Sequence, residues 1–228
     1  MGSRCCRLSW LLLLTVVWAV SGLAAQSQPP TSSLPKHTKK PPALADSGID
    51  AGGVTDGVYH NKTLALSCRV PAGWVLRTDE LNAREEEKDS SSSAGAARAS
   101  SAGAKVLLAA FSRPPEAKGE EVNSSILIAA ESAASYPGLK DAAQYFGPLT
   151  EVAKAQGFTA DEEPYEFAVG TKTLVRGDFH KDVGSRVMRQ STLALLAHGY
   201  AVSITVIAGT EDDVEEVIDG LSFGVGGK

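Results

Sequence analysis

Four apolar-rich segments between Glu163 and Gly209 follow one another with almost no chain between them. "EPYEFAVG" runs into "TKTLVRGDFH" through a turn at Gly170, and "SRVMRQSTLALLAHG" runs into "YAVSITVIAG" through a turn at His198-Gly199. Connections this short join antiparallel neighbours, because a parallel pair needs a crossover of about a dozen residues. The second segment also alternates. Thr171, Thr173, Val175, Gly177 and Phe179 fall on one face, and Lys172, Leu174, Arg176, Asp178 and His180 on the other. An antiparallel sheet is therefore the frame that the rest of the chain has to fit.

Upstream, "YHNKTLALSCRVPAGW" (Tyr59 to Trp74) reads as a short strand, a turn at Asn61-Lys62, an alternating strand and a Pro-x-Gly-Trp ending. "TDELNAREEEK" reads as a short polar helix. "KVLLAAFSR" (Lys105 to Arg113) and "SSILIAAES" (Ser124 to Ser132) are near-continuous apolar strands. "LKDAAQYFGPLTEVAKAQG" has apolar residues at helical spacing from Leu139 and stops at Gly157; Pro148 inside it predicts a kink or a split. "TEDDVEEVIDGLSF" closes the chain as a helix, with Thr210 as N-cap, acids in the first turn where the helix dipole favours them, and Gly220 at its end. Strands apolar on both sides predict a sheet covered on both faces. The predicted fold class is α+β, a layered domain with a central antiparallel β-sheet covered by helices.

The first residues have the pattern of a cleaved export signal. "MGSRCCR" is positive, "WLLLLTVVWAV" is apolar, and "SGLAAQ" offers small residues for cleavage after Ala24 or Ala25. The apolar run has 11 residues, short of the ~20 that a spanning helix needs. Residues 1–25 are read as signal peptide and the product as secreted or periplasmic, membrane-anchored only if the leader stays. Residues 26–58, rich in Pro, Ser and Gly, read as a disordered linker. Residues 59–228 read as a single domain with a flexible Ser/Ala-rich insertion at 89–104. Cys5 and Cys6 leave with the leader, so Cys68 has no partner for an internal disulfide, and its apolar strand marks it as a small buried hydrophobe. The formal charge of -5 becomes -7 once Arg4 and Arg7 are gone. That balance argues against nucleic acid and against an anionic membrane surface as partner, since both call for a basic face.

The opening hairpin "YHNKTLALSCRVPAGW", the late hairpin "STLALLAHGYAVSITV" and the closing "VEEVIDGLSF", in this order, resemble the PsbP-like family and its relatives with the Mog-type fold. The resemblance covers residues 59 to 224; the Ser/Ala insertion departs from a compact member. It implies a domain without enzymatic activity. Photosynthetic members dock on a photosystem, Mog-type members bind a small GTPase, and many exported bacterial members have no assigned role. The matching motifs are structural, so no functional residue carries over. Trp74 and Phe223 are expected to be packing residues.

Chemistry-bearing residues are few. In "DFHKD", Asp178, His180 and Asp182 share one strand face by alternation, and two carboxylates with an imidazole are a candidate set for a divalent metal. The competing reading is a solvated hairpin end. "EDDVEEVID" is acidic, lacks the spacing and glycine of a calcium loop, and is accounted for by the helix dipole. His60 and His198 sit at turns and His37 in the linker, and no G-x-S-x-G accompanies them. The terminal "GVGGK" lacks the Ser/Thr and helix of a phosphate loop. Asn61-Lys62-Thr63 and Asn123-Ser124-Ser125 are glycosylation sequons.

The sequence thus predicts a monomeric, non-enzymatic binding module without a cofactor, tethered by a flexible arm, whose partner is a protein of the cell envelope. The alternatives are an exported enzyme with a cryptic hydrolase-type site and a small-ligand or metal carrier built around Asp178 and His180.

Overall fold

The computed structural model describes residues 48–91 (backbone alone for 85–91), 104–117, 119 and 122–224. The expected leader, the first part of the linker and the centre of the expected insertion (92–103) lie outside the described residues. The elements run β1 (Gly53–Thr55), β2 (Val58–Asn61), β3 (Leu66–Arg69), β4 (Val75–Leu76), α1 (Thr78–Ser91), β5 (Lys105–Phe111), β6 (Ser125–Ser132), α2 (Ala142–Ala155), β7 (Thr159–Ala160), β8 (Tyr165–Val169), β9 (Lys172–Val183), β10 (Arg186–Ala197), β11 (Tyr200–Ala208), α3 (Glu211–Asp219) and β12 (Leu221–Phe223).

The large sheet has the order β4-β5-β6-β11-β10-β9-β7, with β8 alongside the first half of β9. Every pairing in it is antiparallel. Both hairpins read from the sequence are present. Val169 pairs Lys172 across Gly170 (φ 59°), and Ala197 pairs Tyr200 across His198 (φ 52°) and Gly199 (φ 80°), the two left-handed residues of a twist-matched two-residue turn. The turn between β9 and β10 at Gly184 joins these hairpins into one meander.

The sheet is covered on both faces, as its apolar strands require. On one face Ile126, Ile128, Leu193, Leu195, Val202, Ile204 and Val206 form a core with Tyr59, Leu66 and Cys68 and with Val214, Val217 and Ile218 of α3. The cover there is a second, four-stranded sheet, β1-β2-β3-β12, as well as a helix, where helices and irregular segments were expected. On the other face α2 sets Tyr145, Phe146 and Ala153 against Phe179, Ala194 and Ala201. The small residues of the strands make room for its rings. At Gly177 a Cβ would sit 2.6 Å from Phe146 Cε1, so this strand position has to be glycine for α2 to lie as close as it does. Trp74 and Phe223 pack against the first core, as predicted.

Three local expectations are corrected. The domain begins before Tyr59, because Ile49 is buried and β1 pairs with β2 inside the span read as linker. Side chains do what composition could not show: the Tyr200 hydroxyl accepts from Ile49 N, and Lys105 Nζ donates to Ile49 O. The turn after β2 occupies Lys62–Ala65 rather than Asn61-Lys62. Helix α2 is not split at Pro148 but runs through it, with Asp141 as its N-cap accepting from Gln144 N. Polar α1 lacks an apolar stripe, and polar bonds dock its first turns on β5. Asn82 bonds both N and O of Val106, and Thr78 Oγ1 accepts from Ala109 N. These bonds occupy a sheet edge that would otherwise be open. Among the described residues no helix is long and apolar enough to cross a membrane.

Candidate functional site

One face of β9 changes character along its length. Leu174 is in the apolar core, and two residues on, Arg176 occupies the same face while only 5% exposed. A guanidinium buried there has to be satisfied by its neighbours. Arg176 Nε donates to both Asp178 oxygens at 3.0 and 3.1 Å, Nη2 donates to Glu215 of α3, and its central carbon lies 4.9 Å from the centre of the Phe167 ring. Tyr165 on β8 donates its hydroxyl to Asp178 Oδ2 at 2.8 Å. Burial lowers the affinity of Arg176 for its proton, but Glu215 and Asp178 outweigh it, so the guanidinium is held charged more firmly than usual. Burial and the bond to Asp178 push the Tyr165 hydroxyl well above its ordinary range.

The next pair on this face belongs to the loop after β7. Asp161 faces His180 Nδ1, and Arg189 Nη1 lies 3.7 Å from its other oxygen. An ionised carboxylate only accepts, so the proton of that contact is on Nδ1. Asp161 N donates to Asp178 O at 2.9 Å and fixes the loop against β9. Between this loop, the charged end of β9 and β10, and the first turn of α3 lies a polar cleft of about 150 Å³. Carboxylates of Asp161, Glu162, Asp178 and Glu211 line it, against Arg176 and Arg189, so the excess charge is negative. A wider, shallower trough of about 820 Å³ lies beside Ser124, Arg186 and Thr210.

Asp178, His180 and Asp182 do share a face, but the structure engages them separately. Asp178 holds Arg176 and Tyr165, His180 holds Asp161, and Asp182 stands exposed near the β9–β10 turn. Among the described residues no three His, Cys, Asp or Glu side chains lie where they could hold a metal ion. His60 Nδ1 meets Ser67 Oγ at 2.9 Å on the exposed side of the small sheet, and His198 is at a turn tip. Neither lines either of the two clefts described above. Cys68 is fully buried, and burial pushes its thiol up to about 12, which leaves it protonated and inert. Thr210 caps α3, accepting from Asp213 N at 3.1 Å, and two of that helix's acids reach further: Glu215 to Arg176, Glu211 to the cleft. His37 and the terminal GVGGK, from Val225 on, lie outside the described residues.

The sequence reading missed Arg176, Asp161, Tyr165, Arg189 and Glu215 as a group. One signal for it was available: alternation puts Arg176 on the face of Leu174, and a charge at an inward position needs partners.

No protein-family model and no curated protein matches the chain. Solved structures similar to it include the Saccharomyces cerevisiae Ran-binding protein Mog1p (TM-score 0.35, 12% identity, covering 70% of this chain and 80% of that one). Others are LpqN of Mycobacterium tuberculosis, described as involved in cell envelope biogenesis (TM-score 0.33, 10% identity, 69% and 82%), and the Pseudomonas aeruginosa protein of unknown function PA94 (TM-score 0.32, 16% identity, 44% and 68%). Likeness at this level assigns no family, partner or activity.

Proposed function

We propose that this chain is an exported, tethered, non-enzymatic binding module that meets a protein of the cell envelope at the polar cleft beside α3. The observation that carries the reading is how the cleft's charges are used. Arg176, Asp178, Glu215 and Tyr165 satisfy one another, as do Asp161 and His180, while Glu162 and Glu211 at the rim make no ion pair among the described residues. A rigid floor with unpaired acids around it suits recognition of a basic patch on a partner, where rim charges set encounter rate and specificity.

A hydrolase is the rival reading, and the Asp161–His180 pair is the observation in its favour. A triad needs a hydroxyl or thiol on the far side of the imidazole. Among the described residues none bonds His180, and Ser191, on the neighbouring strand and the same face, is 1% exposed and out of reach of a substrate.

Native mass spectrometry of the untagged protein from its own host tests the proposal. A second protein whose mass persists under gentle conditions and is lost on denaturation is the expected result. A chain that flies bare, with ester or peptide hydrolysis that His180→Ala abolishes, would replace it with the rival. The same intact mass shows whether the leader is removed near Ala25.

A further inference from the structure

The fold treats the two sequons in opposite ways. Asn61 ends β2 and is 2% exposed. Both hydrogens of its Nδ2 are engaged, one on Asp50 O at 2.7 Å and one on the Tyr59 hydroxyl at 3.1 Å, while Oδ1 accepts from Leu64 N at 2.9 Å. The Tyr59 hydroxyl in turn donates to Ala51 O at 2.9 Å. Asn61 is therefore a clasp that holds residues 50 and 51 to the domain.

Asn123 lies half-buried in the segment that leads into β6. Its Oδ1 accepts from Ser112 Oγ and Arg113 N, and its Nδ2 donates to Arg113 O at 3.0 Å. Among the described residues that is the one bond its Nδ2 makes, so a second N–H is left over.

Attachment of an N-linked glycan forms a bond between Nδ2 and the anomeric carbon of the sugar. It breaks that carbon's bond to the diphosphate of a lipid-linked donor and releases one Nδ2 proton. The product keeps a single N–H. At Asn123 the N–H given up is the one that Arg113 O accepts, because a trans amide sets the sugar on the side of Oδ1, so the side chain turns outward from a half-buried position and exchanges part-buried bonds for water. At Asn61 one of two buried bonds is lost, and the sugar would have to occupy space that packed neighbours already fill.

We propose that Asn123 is the position at which this chain takes an N-linked oligosaccharide, and that the fold closes Asn61. The test passes the full chain through a eukaryotic secretory pathway and isolates the folded monomer. Each sequon peptide is then weighed before and after an amidase that converts a glycosylated Asn to Asp. Sugar on the Asn123 peptide and none on the Asn61 peptide is the expected result. Ser125→Ala should remove all sugar with the Asn123 side chain in place, and Thr63→Ala should leave the glycan mass unchanged. Sugar on Asn61 in the folded fraction, or a folded fraction bare at Asn123, overturns the proposal.

Discussion

Two halves of one face of the β9–β10 hairpin share a register and a neighbouring helix, yet they are held by different forces. Toward the β10–β11 turn, Leu174, Leu193 and Leu195 lie in the apolar core beneath the small sheet and α3. Toward the β9–β10 turn, the same face presents Arg176, Asp178 and His180 on one strand and Arg189 and Ser191 on the other. The apolar half is stabilised by removal from water, which any well-packed hydrophobe supplies. The charged half is stable only as a set, because each group offsets the desolvation of another. The first half specifies that the sheet is covered, and the second fixes where α3, β8 and the loop after β7 sit relative to it.

The largest effect is expected in the apolar half. Leu193→Ala, at a fully buried position, should cost about 4 kcal/mol through lost transfer and an unfilled cavity, read as a lower urea midpoint at unchanged slope. In the charged half, Arg176→Leu should cost about 3 kcal/mol, chiefly because it strands the more buried Asp178 and frees Glu215 from its partner. Adding Asp178→Asn and Glu215→Gln should recover at least about half of that loss, since the penalty is that of unpaired charge and not of missing volume. An equal loss in the single and triple variants would mean the two halves do not differ in the way described. Smaller again is Ser191→Ala. Its Oγ is buried and bonds nothing among the described residues, so removing it should raise stability by about 1 kcal/mol; a loss of that size would reveal an unrecognised partner.

Alkaline titration reads the burial of Cys68, whose ordinary value is 9.0, apart from that of the tyrosines, whose ordinary value is 10.0. Cys68, packed with the apolar half, has its thiol raised by burial from an ordinary value of 9.0 to about 12. Between those values the unfolded chain releases a proton that the native chain retains, so stability falls as pH rises through this window. Cys68→Ala should flatten that part of the profile and leave the profile below it unchanged. Tyr59, Tyr145 and Tyr165, whose hydroxyls burial also raises, keep the remainder of the slope.

How far the sequence could be read follows the same division. The hairpins at Gly170 and His198-Gly199, the Thr210 cap and the burial of Cys68 were legible, because turn chemistry, capping and apolar patterning are local. The second sheet was not, since β12 reaches β3 from the far end of the chain and nothing near Leu221 announces it. Nor was the start of the domain: Ile49 is held by Tyr200 and Lys105, residues distant in sequence, within a stretch whose composition reads as linker. Asp178 and His180 were singled out for a shared face, which they have, but the pairing of Asp178 with Arg176 and of His180 with Asp161 depends on side chains from β8, α3 and the β7 loop. A charged group at an inward strand position was the one sequence mark of this site.

The central claim, that the acid-rimmed cleft is where the partner binds, is tested most directly by reversing its unpaired rim charges. Glu162→Lys with Glu211→Lys would be compared in the native host with Lys172→Glu, an exposed control at the start of β9, by the fraction of chain carrying partner mass in native spectra. The account predicts that the double variant loses the partner while the control and the unfolding midpoint stay close to wild type. Full retention of the partner by the double variant would contradict it.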